Sequence, residues 1–312
     1  MNTRLALADL AASAFRKDRP GLAAKALRRI IGRVWSDGFA SAFYSHNRGK
    51  PALWPGKSAC LTLSFDCDHE ADYRAMPELL DALAGEGLSA SFACIAKWVE
   101  LDPDSHLELI RRGHELVNHT YTHPSNSRFH PDERFNEITP GARREEIEMA
   151  DRIIRVRLNY RPSGFRTPHF GDSHTRDVYS VLAGIGYRYS SSRISIQCPG
   201  YGMPYRESDG IWEFPLSFDP AYPNTCFDTY NRFPRTDGPV PAEQENAFFG
   251  RIEKIIGMAM DTGSYVNLYF DPSDIGRLGR FRDFIRFLGS LKTRLWVAPY
   301  ERILNEWSRN SV

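Results

Sequence analysis

The chain is poor in cysteine and lacks the spacings that cysteine-based sites use. Its 312 residues include five cysteines and no C-x-x-C pair; they are Cys60, Cys67, Cys94, Cys198 and Cys226. An odd number of cysteines without a spacing framework argues against a disulfide scaffold and favours free thiols in a reducing compartment.

Long hydrophobic runs are also missing. No apolar stretch reaches the roughly 18–20 residues that a membrane-spanning helix requires. The apolar residues in 5–15 are interrupted by Asp9, and no clean small-residue cleavage site follows, so a secretion signal is not expected. Together with the free thiols, these absences favour a cytoplasmic location.

The net charge of +1 is unevenly distributed. Residues 1–50 hold ten Lys and Arg against three Asp, which leaves residues 51–312 slightly acidic. A basic arm on an acidic body argues against nucleic acid as a partner. Hydrophobic residues of the arm recur at helical spacing, at Leu27, Ile30, Ile31, Val34 and Trp35. We expect this helix either to lie on an anionic membrane surface or to pack on the main domain.

The main domain is expected to begin at the Pro and Gly residues that follow the arm and to cover 51–312. Apolar β-like runs alternate with helical patterns and short connections, which predicts a parallel α/β sheet or barrel. Strands are predicted over 60–65, 90–95, 115–118, 161–165, 187–190, 265–270 and 295–298, and helices over 76–87, 105–112, 145–157, 177–183 and 281–291. In such folds, the chemistry lies where strands end.

Residues 194–242 break this alternation and are rich in proline and aromatic residues. A connection of this length is usually functional, so we interpret it as a lid-like insertion in the barrel. Aromatic side chains of the insertion, Trp212 among them, are candidates for stacking on a sugar ring.

Two short motifs supply the residues of a metal site. Asp66 and Asp68 close the first predicted strand on one face, because alternate residues of a strand point the same way. His119 and His123 are four apart and would share a face if that segment were helical. One Asp and two His form a three-ligand set for a divalent metal with open positions, and the other Asp could accept a proton from bound water.

These motifs, with Arg166-Thr167-Pro168 after a later strand, resemble the polysaccharide deacetylase family (NodB-homology domain, carbohydrate esterase family four). The resemblance covers roughly residues 55–305, and the spaced Asp-x-Asp form is similar to one branch of the family. It implies a distorted (β/α) barrel of seven or eight strands. It also implies one divalent metal, expected to be Zn²⁺, and hydrolysis of an N-acetyl group on a sugar.

The resemblance assigns roles to individual residues. Asp66 corresponds to the general base, and Asp68, His119 and His123 to the metal ligands. Arg166 corresponds to the arginine that pairs with the base, which would keep that carboxylate ionised. Pro168 corresponds to a wall of the substrate pocket, next to His169.

The later family motifs are altered. Tyr189 to Ser192 stand at the fourth motif without the usual Trp. In the fifth, Asn267-Leu268-Tyr269-Phe270-Asp271-Pro272 places Asp271 where the family has its general acid, a His, and no His follows His174. Asp271 would serve as the acid if burial or a carboxylate such as Asp274 raised its pKa. His69 and His169 are rival proton donors, and Leu268 is a candidate for lining the acyl pocket.

Three functions are compatible with these residues. The leading one is metal-dependent N-deacetylation, or deformylation, of an amino sugar or glycan precursor. A cyclic-amide hydrolase similar to allantoinase is favoured by the Asp-x-Asp spacing and by the lack of a secretion signal. A catalytically impaired homologue that binds sugar is suggested by the missing His.

Overall fold

A computed structural model of the protein describes residues 22–50, 53–233 and 240–310. Several features of the sequence lie outside these ranges. They are residues 5–15, the basic residues Arg4, Arg16, Lys17 and Arg19, the predicted domain start at Pro51, and part of the predicted insertion.

A curled, mainly parallel sheet forms the centre of the molecule. Its strands are β1 (Ala59–Cys67), β2 (Ser91–Cys94), β3 (Glu115–Asn118), β4 (Gly164–Phe165), β5 (Tyr189–Ser190), β6 (Tyr205–Arg206), β7 (Trp212–Glu213), β10 (Tyr265–Phe270) and β11 (Leu295–Val297). The order across the sheet is β10-β1-β2-β3-β4-β5-β7-β6, with β11 also paired to β1. Only the β6–β7 pairing is antiparallel among these strands. The mixed α/β class and the distorted barrel are thus confirmed.

Helices connect the strands in the pattern that parallel pairing requires. They run over Leu22–Val34, Ser36–Ser45, Glu70–Gly85, Ala96–Leu101, Pro103–Arg111, Pro140–Leu158, Asp177–Gly184, Thr229–Arg232, Ala242–Thr262, Asp274–Arg277, Phe281–Ser290 and Tyr300–Asn310. None of these described helices is both long enough and apolar enough to cross a membrane.

The two faces of the first strand differ: one lies in the hydrophobic core, and the other lines the inside of the curled sheet. Leu61, Leu63 and Phe65 belong to the hydrophobic cluster between the sheet and its helices. The residues between them point to the inside of the curl, where the hydroxyl of Ser64 donates to the Leu268 carbonyl. Because both faces of β1 are buried, its sequence is apolar on one face and hydrogen-bonded on the other.

The first two described helices contact the main domain. Helix Ser36–Ser45 buries aromatic side chains, including Phe39 and Phe43, in the main hydrophobic cluster. In helix Leu22–Val34, Ile31 packs against this cluster, whereas Leu27, Ile30 and Val34 are exposed by 41%, 58% and 79%. One side of this helix therefore faces the domain, and an adjacent apolar stripe faces solvent.

The region predicted as an insertion holds barrel structure as well as loops. Within it, β6 and β7 form a hairpin, and β7 pairs in parallel with β5 of the main sheet. A separate hairpin follows, of β8 (Phe218–Asp219) and β9 (Tyr222–Cys226). The next residues, 227–233, lead toward the carboxyl ends of the central strands, where the site lies.

Candidate functional site

The functional side chains come together where four parallel strands end. Asp66 lies within the last residues of β1, and His119, Arg166 and Asp271 directly follow β3, β4 and β10. Strand β1 pairs with β10 on one side and is linked through β2 to β3 on the other, and β3 pairs with β4. The polar ends of all four strands therefore face one cavity.

Asp68, which is half-buried, and the buried His119 and His123 form a set that could hold one metal ion. Their ligand atoms lie within 4.8 Å of one another, and they are the only such group among the described residues. His119 Nε2 is 3.4 Å from one oxygen of Asp68, and His123 Nε2 is 3.4 Å from the other. Asp68 Oδ1, His119 Nε2 and His123 Nε2 are buried and have no hydrogen-bond partner. Buried polar atoms are rarely left unpaired, and the donor set matches that of catalytic zinc sites, so these residues fit a divalent metal.

Hydrogen bonding prepares His119 as a ligand. Its Nδ1 is 2.8 Å from the carbonyl oxygen of Arg166, which accepts the Nδ1 hydrogen and leaves the Nε2 lone pair facing Asp68. Burial lowers the pKa of His123 to about 3, so this imidazole is neutral, as a metal ligand must be. Burial opposes ionisation of Asp68, but its contacts with the two imidazoles hold the pKa of its carboxyl well below the usual range.

The histidine pair is brought together by a turn and not by a helix. Residues 119–123 are non-helical, and Thr120 and His123 adopt left-handed backbone angles, with φ of 67° and 58°. The possibility that His119 and His123 share one face of a helix is therefore wrong. The turn is favoured because the Thr120 hydroxyl accepts the His123 amide at 3.0 Å.

Arg166 is fully buried and fixes Asp66. Its Nη1 donates to Asp66 Oδ1 at 2.7 Å, while Nη2 donates to the hydroxyls of Ser64, Ser191 and Tyr300. The other oxygen of Asp66 lies 3.8 Å from His119 Nε2. Burial raises the pKa of Asp66, and the guanidinium acts against that effect. Asp66 thus lies beside the three possible metal ligands without being one of them, so its carboxylate remains available as a base.

A cavity of about 160 Å³ opens above these groups. It is lined by Asp66, Asp68, His69, His123, Ser125, Asn126, Ser127, His169, Phe170, Asp228, Tyr230, Asn231, Tyr269 and Asp271. Of the residues singled out from the sequence, the structure thus brings Asp66, Asp68, His69, His123, His169 and Asp271 to its wall, with His119 and Arg166 buried beneath.

The candidates for substrate contact Leu268, Trp212 and Pro168 are not among the described residues that line the cavity. The side chain of Leu268 points to the opposite face of β10 and is buried in the main core, so it does not line an acyl pocket. Trp212, in β7, packs on Trp307 with ring centroids 5.1 Å apart, and the guanidinium of Arg206 lies over its ring. Pro168 is buried next to the exposed His169.

Two features of the cavity were missed from the sequence. Tyr269 lines it in place of Leu268, and strand alternation carried back from Asp271 would have indicated this. The segment 228–231 adds Asp228, Tyr230 and Asn231, and Tyr230 is 44% exposed. Its ring lies nearly parallel to that of His69, with centroids 6.2 Å apart. No local pattern in the sequence distinguishes this segment from the rest of the Pro- and aromatic-rich region.

Two further buried carboxylates connect the cavity walls. Asp72 accepts the amides of Asp68 at 3.1 Å and His69 at 2.9 Å with one oxygen, and that of Ser273 at 3.2 Å with the other. Asp274 accepts the amide of Asp271 at 3.2 Å and the hydroxyl of Thr229. The three wall segments 66–69, 228–231 and 271–273 are therefore joined through the carboxylates of Asp72 and Asp274.

The predicted proton donors differ in their surroundings. Asp271 is 3% exposed and next to Asp274, whose carboxyl pKa is raised by burial to about 6. His169 lies in the cavity wall with its ring 5.0 Å from that of His123, and partial desolvation of the imidazole lowers its pKa. His69 stacks on Tyr230 at the cavity wall. All three residues can reach a molecule in the cavity.

Comparison with known proteins agrees with the motifs. Residues 55–190 match the model of the polysaccharide deacetylase family. A 67-residue stretch is 36% identical to a chitooligosaccharide deacetylase of Bradyrhizobium, over 22% of this chain and 31% of that protein. The chain spans less than half the length of the curated relatives that it matches.

Solved structures share the fold. A Mycobacterium smegmatis protein assigned as a polysaccharide deacetylase superposes with a TM-score of 0.67 at 18% identity, over 85% of this chain and 96% of that one. Puue allantoinase superposes with a TM-score of 0.64 at 15% identity, over 86% and 96% of the two chains. The resemblance to the deacetylase family is thus confirmed, and at these identities the structural likeness establishes the fold alone.

Proposed function

We propose that this chain, whose residues 55–190 match the polysaccharide deacetylase family, is a metal-dependent hydrolase that removes an N-acetyl or N-formyl group from an amino sugar or glycan precursor. The observation that carries the proposal is the group of unpaired, buried ligand atoms of Asp68, His119 and His123 beside the Asp66–Arg166 ion pair. A hydrolase of unactivated amides needs a bound electrophile and a separate base, and these two sets of residues supply the positions for both.

The roles of the protein groups follow from their positions. A divalent metal held by Asp68, His119 and His123, proposed to be Zn²⁺, would polarise the amide carbonyl and acidify water. Asp66 takes the proton from the attacking water, and Arg166 keeps this carboxylate oriented and ionised between turnovers.

Departure of the amine requires a proton. Asp271 is proposed as its donor, because it lines the cavity, is almost fully buried and adjoins a second carboxyl group. Tyr230 replaces Trp212 as the proposed sugar-stacking residue, since it is the exposed aromatic side chain of the cavity wall.

Metal content and acetate release test this function together. Wild-type protein incubated with Zn²⁺ should retain about one ion per chain and release acetate from N-acetylated amino sugars. His119→Ala and Asp68→Asn should lose both properties. Asp81→Asn, an exposed site on helix Glu70–Gly85, is the control and should retain both. Wild-type protein that binds no divalent metal would contradict the proposal.

A cyclic-amide hydrolase is the second candidate. It is favoured by the Asp66-Cys67-Asp68 spacing. Ring opening of cyclic amides without acetate release from sugars would select this function. An impaired sugar-binding homologue would retain the metal and bind sugar but catalyse neither reaction, and Asp271→His would then increase deacetylation.

We also propose a cytoplasmic location with contact to an anionic membrane surface. All five cysteines are free and buried, which suits a reducing compartment. The outward stripe of Leu27, Ile30 and Val34 belongs to a segment, residues 1–50, with ten basic and three acidic residues. An apolar stripe combined with net positive charge is the pattern that binds anionic lipid surfaces.

Vesicle sedimentation tests the membrane contact. Substitution of Leu27, Ile30 and Val34 by Ser should reduce sedimentation with anionic vesicles, and purely zwitterionic vesicles should bind little wild-type protein. Val156→Ser, at an apolar residue 75% exposed on another helix, is the control. Truncation of residues 1–50 is unsuitable, because helix Ser36–Ser45 contributes to the core. Equal sedimentation of the triple variant and wild type would contradict the contact.

A further inference from the structure

The turn that carries the two histidines depends on a glutamate from a distant part of the chain. Glu146 lies on helix Pro140–Leu158, and one of its carboxylate oxygens accepts the amides of Tyr121 at 3.0 Å and Thr122 at 2.8 Å. Its other oxygen accepts the Thr122 hydroxyl at 2.7 Å. Three donors of the turn at residues 119–123 thus end on one side chain, which is only 12% exposed.

The backbone of this turn needs such support. Thr120 and His123 have left-handed angles that residues with a side chain adopt at a cost, so the surroundings must hold the turn in place. The carbonyls of Thr120 and Tyr121 are bound by the amides of Ala96 at 3.0 Å and Lys97 at 2.9 Å. The amides of Tyr121 and Thr122 point the other way, and Glu146 is their acceptor.

The ring of His123 has no hydrogen bond that would orient it. Neither Nδ1 nor Nε2 of His123 has a partner, whereas His119 is oriented by the Arg166 carbonyl. The position of His123 is therefore set by its backbone, and the backbone by the turn. Glu146 contacts the turn from helix Pro140–Leu158, which is fixed in position because Ile147, Ala150 and Ile154 are buried in the core.

We infer that Glu146 is a positioning residue for the metal site: its carboxylate holds the turn so that His123 meets His119 and Asp68. The inference rests on the proposed function, since it assumes that these three residues bind a divalent ion. Glu146 does not touch the ion. It acts through the backbone of residues 121 and 122, as outer partners of metal ligands commonly do.

Zinc affinity of purified, metal-free protein, measured by competition with a chromophoric chelator, tests this role. Glu146→Ala should weaken Zn²⁺ binding by roughly 10- to 100-fold, the range typical of lost outer-shell support. Glu146→Gln, which keeps the shape but loses acceptor capacity, should fall between Ala and wild type, and Glu146→Asp should recover part of the affinity. Glu145→Ala, at the exposed neighbour on the same helix, should leave affinity within about twofold of wild type.

The thermal midpoint of each metal-free variant separates positioning from a general structural role. The inference requires that Glu146→Gln lose zinc affinity while its metal-free midpoint stays close to that of Glu145→Ala. If Glu146→Ala does not fold, the Gln and Asp variants decide the question by the same two measurements. Unchanged affinity in folded Glu146→Gln would overturn the inference and leave the proposed function standing. A wild-type protein without zinc affinity would overturn both.

Discussion

Replacing Arg166 by Met should destabilise the protein strongly, because it leaves the carboxylate of Asp66 buried without its partner. The two side chains are 1% and 4% exposed and their charged atoms are 2.7 Å apart. Unit charges at that separation attract by about 6 kcal/mol at an effective dielectric constant of ~20, and most of this attraction offsets their desolvation. Breaking a buried pair from one side costs about 3–5 kcal/mol, which is the expected loss in free energy of unfolding.

Urea unfolding of metal-free protein at neutral pH measures this loss. The double variant Asp66→Asn/Arg166→Met removes both charges, so it should be about 1–3 kcal/mol more stable than the sum of the single effects predicts. Arg74→Met is the control: its ion pair with Glu70 is 2.5 Å long, but the side chains are 76% and 55% exposed, and the loss should be about 0.5 kcal/mol or less. A loss below about 1 kcal/mol for Arg166→Met, or strict additivity in the double variant, would refute the reasoning.

Three further predictions concern pH, the proton donor and the cavity wall. Burial raises the pKa of Glu115 to about 7 from 4.5, so its contribution to stability is complete below pH 4.5 and is lost as the pH rises through 7. That loss amounts to about 3 kcal/mol, and Glu115→Gln should flatten the pH dependence of unfolding; an unchanged profile would contradict it. Asp271→Asn should lower kcat by about 100-fold or more with zinc affinity retained, and full activity would exclude Asp271 as the donor. Tyr230→Ala should raise KM for a sugar substrate about tenfold with little change in kcat, Tyr230→Phe should not, and equal KM values would exclude stacking.

The central strands could be predicted from the sequence, because their residues are apolar and buried on at least one face. The predicted strands 115–118 and 265–270 coincide with β3 and β10, and the first strand extends two residues further than expected, to Cys67. Apolar runs bounded by polar residues define such strands locally, and the ends of parallel strands then meet at one edge. For this reason the sequence alone predicts that Asp66, His119, Arg166 and Asp271 lie together.

Contacts between distant segments could not be predicted in the same way. The turn at residues 119–123 depends on Glu146, and a spacing of four suggested a helix there. Tyr230 reaches the cavity because Asp274 binds Thr229, a contact that no local pattern encodes. A motif suggested Leu268, and the local composition suggested Trp212, as substrate contacts. The surroundings of Leu268 depend instead on the register of β10, and those of Trp212 on the packing of β7 against Trp307.

The carboxylates of Asp72 and Asp274 have a consequence for how the cavity can open. Each of these carboxylates accepts hydrogen bonds from two wall segments. If one segment moved outward alone, buried donors and acceptors would lose their partners. The cost is about 1–3 kcal/mol for each unpaired group. Local fluctuations of separate segments are therefore costly, and the walls should open as one cooperative unit. In hydrogen exchange, the amides of His69, Asp271 and Ser273 should share a single opening free energy. The cavity would then have its binding shape before the substrate enters, so that little conformational entropy of the protein is lost upon binding.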